Sequence, residues 1–352
     1  MQHTLECYNL VFIEYIFVLI MKQRLIWADS LKGWLMILVI LGHAIQTIML
    51  EDYNNDHVWN IIYSFHMPAF MAVSGWFAYR QKQNGGGKNV CLRRCKQLLI
   101  PYVMWSLISY GLSGDYNMER LSKMVLYPDA YFWFLWVLFL INLLFVLCQN
   151  ISYRIHIDEL TAICIMCLSL FGVMVAFEIR VFGFQFLSYY FIFYTLGYCI
   201  HRYSWLQVSN KMYIAVLFII WAILAWYWNM HSLPSWMPAI PHVPSTLMQY
   251  AYRGLTAAIA ILVIFGFAPN TLNGTNITNL IKKELGTVSL GLYVCHLTII
   301  GYVVEVIRYC FPHINNSIII ILNFIISTII SVIVVELLKR NKITAKLFLG
   351  KI

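Results

Sequence analysis

Between Gly33 and Leu50 the chain reads GWLMILVILGHAIQTIML, 18 residues without an Asp, Glu, Lys or Arg. Wound as a helix, the run is about 27 Å long, close to the roughly 30 Å hydrocarbon layer of a bilayer. One such helix also fits a buried core, so its neighbours decide. Nine further apolar runs follow, at roughly 58–79, 98–113, 131–149, 159–177, 184–200, 212–229, 247–268, 286–307 and 317–338. The connections are short, so the runs predict one all-α polytopic membrane bundle of about ten transmembrane helices.

Composition agrees. Of 352 residues, 61% are apolar and 11% charged, against roughly 45–50% and about 25% in soluble domains. So few charges cannot cover a water-soluble surface of this size. Disordered chains, secreted disulfide frameworks and collagen-like repeats are excluded on the same grounds. The nine Cys follow no framework. Cys164 and Cys167 form a C-x-x-C inside an apolar run, and Cys91 and Cys95 flank basic residues. They read as free thiols packed as small hydrophobes, and no metal site is expected.

The net charge of +9 does not point to nucleic acid, because the basic residues sit in short loops between apolar runs. Of 24 Lys and Arg, nineteen fall on one side of the predicted membrane. Arg120, Lys123, Arg180 and Arg308 fall on the other, and Arg253 lies within a run. This bias predicts both termini in the cytoplasm. The expected organisation is an N-terminal extension over 1–23, a membrane domain over 24–340 and a basic cytoplasmic tail over 341–352. Within the extension, Leu10–Ile20 is apolar but short and contains Glu14. It fits an interfacial helix, an eleventh span, or a sequence upstream of a true start at Met21.

Ionisable groups inside a span are costly and mark functional candidates. Four stand out: His43, His66, Arg253 and His296, all expected in the outer half or near the midplane. Lys32 and His43 are eleven residues apart, three helical turns within about 20°. Asp29, Lys32, His43 and Gln46 thus form one polar stripe. Tyr63, His66, Phe70 and Ser74 share a face, as do Ser289, Tyr293 and His296. Pro68 lacks an N–H for the carbonyl of Ser64, which predicts a kink beside His66. The loop before the third run, RQKQNGGGKNVCLRRCK, sets a glycine tip (85–87) ahead of Arg93, Arg94 and Lys96. Those groups and Lys32 suit a phosphorylated cytosolic ligand. Topology signalling and anionic-lipid contact are the alternative reading.

The run RLIWADSLKGWLMILVILGHAIQ (24–46) resembles the opening of the acyltransferase-3 family of membrane O-acyltransferases. That family is typified by a basic residue, ten intervening residues and a His, here Lys32 and His43. SFHMPAFMAVSGWF is similar to its second-span signature and RRCKQLLIPYVMW to the start of its third. FWFLWVLFLINLL, YFIFYTLGY and GTVSLGLYVCH correspond to later blocks in order. Members often carry Arg-x-Arg where this chain has Arg93–Arg94–Cys95–Lys96.

The resemblance implies transfer of an acyl group, commonly acetyl, from acyl-CoA to a sugar hydroxyl. The acceptor it implies is a carbohydrate of the cell envelope or its precursor, met by an enzyme of the bacterial inner membrane. Lys32, Arg93, Arg94 and Lys96 would hold the acyl-CoA donor. His43 would be the general base, with His66 beside it and Arg253 or His296 on the developing oxyanion. Membrane lipids and polysaccharide-assembly proteins are the further partners implied. A non-enzymatic glycan or lipid transporter is the rival class.

Overall fold

The computed structural model describes residues 26–351 except 84–87, 115, 129–131, 205–209, 239, 242, 273–276, 278–279 and 282–284. The extension over 1–23, the glycine tip and the Lys282–Lys283 pair therefore lie outside the described residues. Those described are helical or irregular, with no strand among them.

The first predicted run lies in α1 (Ile26–Met49). Its helix starts seven residues before the apolar stretch, because the Asp29–Lys32 ion pair continues the helical turn at 2.6 Å. A 3-10 turn over Leu50–Asn55 follows, and Asp56 caps α2 (His57–Tyr63) by accepting from the Trp59 amide at 2.8 Å. Next comes α3 (His66–Gln83). The predicted kink is thus a full break at Ser64–Phe65. Pro68 offers the Ser64 carbonyl no donor, and His66 Nδ1 closes on the carbonyl of Ile62 at 2.7 Å.

Then come α4 (Lys88–Leu112), a short outer helix α5 (Met118–Leu126), α6 (Trp133–Ile155), α7 (Glu159–Phe177), α8 (Phe184–Arg202) and α9 (Lys211–Trp226). After an irregular stretch follow α10 (Ser245–Thr271), α11 (Ser289–Cys310), α12 (Asn316–Lys339) and α13 (Lys342–Leu349). Residues 342–349, expected as a tail, form a helix that packs on α4. There Trp105 Nε1 donates to the Phe348 carbonyl at 2.9 Å.

By length and composition, seven helical stretches among the described residues can cross a membrane. They are α1, α2–α3 taken together, α6, α7, α10, α11 and α12. The remaining three expected spans fall on α4, α8 and α9. The first half of α4 carries Arg93, Arg94 and Lys96, and α8 holds Gln185, Ser188, His201 and Arg202. With 16 residues α9 is short, about 24 Å.

Helix α12 shows the solvent directly. Asn323, Ser327 and Ser331 are fully buried at four-residue spacing, while Ile318, Ile321, Ile325, Ile329 and Ile333 face outward. A helix in water reverses that pattern; in lipid the apolar face belongs outside. This is an integral membrane protein.

The tightest packing joins α3 to α8. A Cβ on Gly75 would lie 1.8 Å from the Tyr194 carbonyl oxygen, and one on Gly197 would lie 1.9 Å from that of Ala72. Backbones this close need glycine on both helices. Gly197→Leu is therefore expected to force the pair apart and cost about 3 kcal/mol or more. Thermal unfolding of the purified protein checks it, with a lowered Tm or failed membrane accumulation expected. An unchanged Tm would mean the helices are not in this register.

Candidate active site

Three helices bring one imidazole each to a common point. His43 comes from α1, His66 from α3 just past its break, and His296 from α11. The rings of His43 and His296 are 5.2 Å apart between centroids. Tyr63, the last residue of α2, fills the space between the other two, 6.3 Å from His43 and 4.6 Å from His66. Its hydroxyl donates to Gln46 Oε1 at 3.2 Å, which ties α2 to the polar stripe of α1. Tyr293 lies 5.8 Å from His296, and its hydroxyl accepts from the Phe134 amide at 3.3 Å.

The backbone sets the tautomers of two of these rings. His66 Nδ1 meets the Ile62 carbonyl at 2.7 Å, and His296 Nδ1 meets that of Leu292 at 3.1 Å. A carbonyl only accepts, so each Nδ1 carries the hydrogen and each Nε2 presents a lone pair. The Nε2 of His296 is buried and has no partner in the structure. A buried polar atom left so is costly unless a ligand or water completes it. It is the clearest mark of a binding position here.

Below the imidazoles lies a cavity of about 330 Å³. It is lined by Lys32, Arg94 and Gln97 together with Ser74, Thr287 and Ser289. It also reaches Met67, Phe134 and Tyr293, the neighbour of His296. Lys32 is held by Asp29 at 2.6 Å and lies 5.5 Å over the ring of Phe77. A Cβ on Gly286 would meet the Asp29 carbonyl oxygen at 1.8 Å, so this glycine lets the turn before α11 press onto α1 beside Lys32. Arg94 donates to Gln97 Oε1 at 3.4 Å, while its buried Nε has no partner.

The four predicted donor-binding residues thus separate into two pairs. Lys32 and Arg94 line the cavity, whereas Arg93 and Lys96 are exposed and do not. Helix geometry is the reason: residues 94 and 97 share one face of α4, and residues 93 and 96 share a face turned about 100° away.

Around Arg253 the neighbours are aromatic rings. Its guanidinium lies 5.4 Å from the ring of Tyr189, 5.6 Å from Trp228 and 5.8 Å from Tyr250. It also donates to the Met230 carbonyl at 3.4 Å. Trp228 is 6.5 Å from Trp59, which stacks on Tyr63 at 3.8 Å. An aromatic run therefore joins the guanidinium to the histidines. Gln46, Tyr63 and Tyr293 are legible in the sequence as face-sharers of the three histidines, whereas the aromatic cage of Arg253 as a whole is not. The signal for those three is spacing, since Tyr63 precedes His66 by three residues, as Tyr293 precedes His296 and His43 precedes Gln46. Among the described residues no group of three or more His, Cys, Asp or Glu is disposed to hold a metal ion.

The arrangement sets a closely spaced group of proton acceptors beside a pocket that holds two cations, with Tyr293 common to both. It can deprotonate a hydroxyl and hold an anionic ligand some 16 Å away, the helical rise from Lys32 to His43. A family model described as an acyltransferase domain matches residues 25–337. The nodulation protein NolL of Sinorhizobium fredii is 27% identical over 303 residues, which is 77% of each chain. NolL of Mesorhizobium japonicum is 30% identical over 123 residues, 32% of each chain. No solved structure matches. The matched model spans all three imidazoles, both cavity cations and Arg253, so the transporter reading gives way to an enzyme: the chain belongs to the acyltransferase-3 family and is an acyltransferase.

Proposed function

We propose that the protein moves an acetyl group from acetyl-CoA to a hydroxyl of an envelope glycan or its precursor. The observation that carries this reading is the convergence of three imidazoles beside Tyr293, which also lines the cavity that holds Lys32 and Arg94. In this reading all ten helices expected as spans cross the bacterial inner membrane, and both termini are cytoplasmic. The basic end of the cavity then opens toward cytosolic CoA, in keeping with the nineteen-to-four distribution of Lys and Arg.

Lys32 and Arg94 hold the donor phosphates by charge-assisted bonds, and the thioester arm lies along the cavity. The acceptor oxygen attacks the thioester carbonyl carbon as its proton passes to a neutral imidazole. The C–S bond then breaks, the acetyl group stays on oxygen, and the departing thiolate takes up the proton. His43 is the base. Neutral His296 presents a lone pair, not a hydrogen, at Nε2. It therefore relays or accepts a proton, and serves an oxyanion only as the imidazolium. Arg253 and its aromatic cage hold the acceptor on the opposite side. Arg93 and Lys96, exposed at the basic face, meet anionic lipid or guide the donor inward.

The test is the mass of envelope glycans from cells with and without the protein. Species heavier by whole acetyl increments, present only with the protein and lost on mild alkaline de-esterification, are expected. Identical spectra would contradict the reading.

A further inference from the structure

A second cavity, of about 380 Å³, is lined by Trp27, Trp76, His201, Ser204, Phe265 and Asn270 among others. It lies where the first turn of α1 meets the final turns of α8 and α10. Its walls are rigid. Trp27 meets Trp76 edge-on at 5.1 Å and Phe265 at 5.9 Å. His201 stacks on Trp76 at 3.8 Å and 6°, with its Nδ1 on the Trp76 carbonyl at 2.7 Å. The mechanism above uses none of these groups.

We infer that this cavity takes the adenine ring of the acyl donor, an inference that rests on the acetyl-CoA reading of the neighbouring site. Three features carry it. Trp27, Trp76 and Phe265 supply ring surfaces, steeply inclined to one another, against which a planar heterocycle can lie. The amide of exposed Asn270 offers one donor and one acceptor, the pair that matches the amino and ring-nitrogen edge of adenine. Finally, the cavity adjoins Lys32 through a single aromatic layer. Phe77 lies 5.2 Å from Trp76, and Lys32 Nζ lies 5.5 Å from Phe77. Lys32 lines the first cavity and not the second, so a ligand with its phosphates at Lys32 reaches the second past the edge of Phe77. Its base sits against Trp27 and Trp76, its phosphates at Lys32, and its thioester arm runs toward Tyr293.

The experiment is equilibrium binding to the purified full-length protein in lipid nanodiscs. The probes are acetyl-CoA and S-acetyl-4′-phosphopantetheine, which keeps the thioester arm and one phosphate and lacks the adenosine with the other two phosphates. Wild type should prefer acetyl-CoA by at least tenfold. Asn270→Ala should lose about tenfold for acetyl-CoA and nothing for the truncated donor. Asn270→Trp, which fills the cavity from its exposed rim, should lose at least as much for acetyl-CoA and nothing for the truncated donor, keeping only the preference that the two further phosphates supply. If both variants bind acetyl-CoA as wild type does while Lys32→Ala still weakens it, the base lies elsewhere and the donor assignment stands. If wild type binds neither probe, the donor assignment falls and this inference with it.

Discussion

His43→Ala is expected to lower acetyl transfer by about 10²–10⁴, the range a positioned general base contributes, with acetyl-CoA binding and membrane accumulation near wild type. His43 is the imidazole on the stripe of Lys32 and directly faces His296, at 5.2 Å. His43→Gln separates two roles, since an amide keeps a polar contact but cannot take up a proton at neutral pH. Turnover measured in membranes at saturating donor should fall as far for Gln as for Ala. Gln at near wild-type activity would make His43 a positioning residue and shift the base to His66 or His296. An Ala variant that fails to accumulate would make it a structural core histidine.

The second large effect is expected at the cavity floor. Lys32→Ala with Arg94→Ala should weaken acetyl-CoA binding by roughly 10²–10³, two charge-assisted contacts of about 1.5–3 kcal/mol each with part of the loss overlapping. Arg93→Ala with Lys96→Ala, on the exposed face of the same helix, should change affinity less than threefold. Direct binding to purified protein checks both. The contrast matters more than either value, because both pairs remove the same charge from nearly the same depth. Equal losses would mean that net charge at this face, rather than the cavity, attracts the donor.

Much of the architecture can be read from the amino acids. Each expected span overlaps one helix or, over 58–79, two, because a long apolar run satisfies its own backbone polar groups best as a helix. Helix limits and membrane limits differ, however. Lys88–Leu112 begins ten residues before its apolar stretch, since Arg93 and Lys96 extend a helix into water at no penalty. Ser64–Phe65 breaks where Pro68 predicted a kink, because one missing donor and the His66 side chain compete at the same turn.

The histidines could be grouped by depth, as depth follows from residue count along each span. Depth also groups Arg253 with them, but does not reveal the aromatic rings around it. Counting along a helix gives the height of a side chain and the face it shares, but not the neighbour that face meets. Tyr250 lies three residues before Arg253 on α10 and can be read from spacing, whereas Tyr189 comes from α8 and Trp228 from the stretch after α9. The division of Arg94 from Arg93 is of the same kind, one residue and about 100° apart.

The central claim is that a donor entering from the cytoplasm is used at the imidazole cluster. Sealed membrane vesicles of known orientation test it, given acetyl-CoA labelled in the acetyl group. Inside-out vesicles should transfer label to envelope glycan, and right-side-out vesicles should do so only after permeabilisation. Labelling of sealed right-side-out vesicles, or none with the cytoplasmic face exposed, would contradict it.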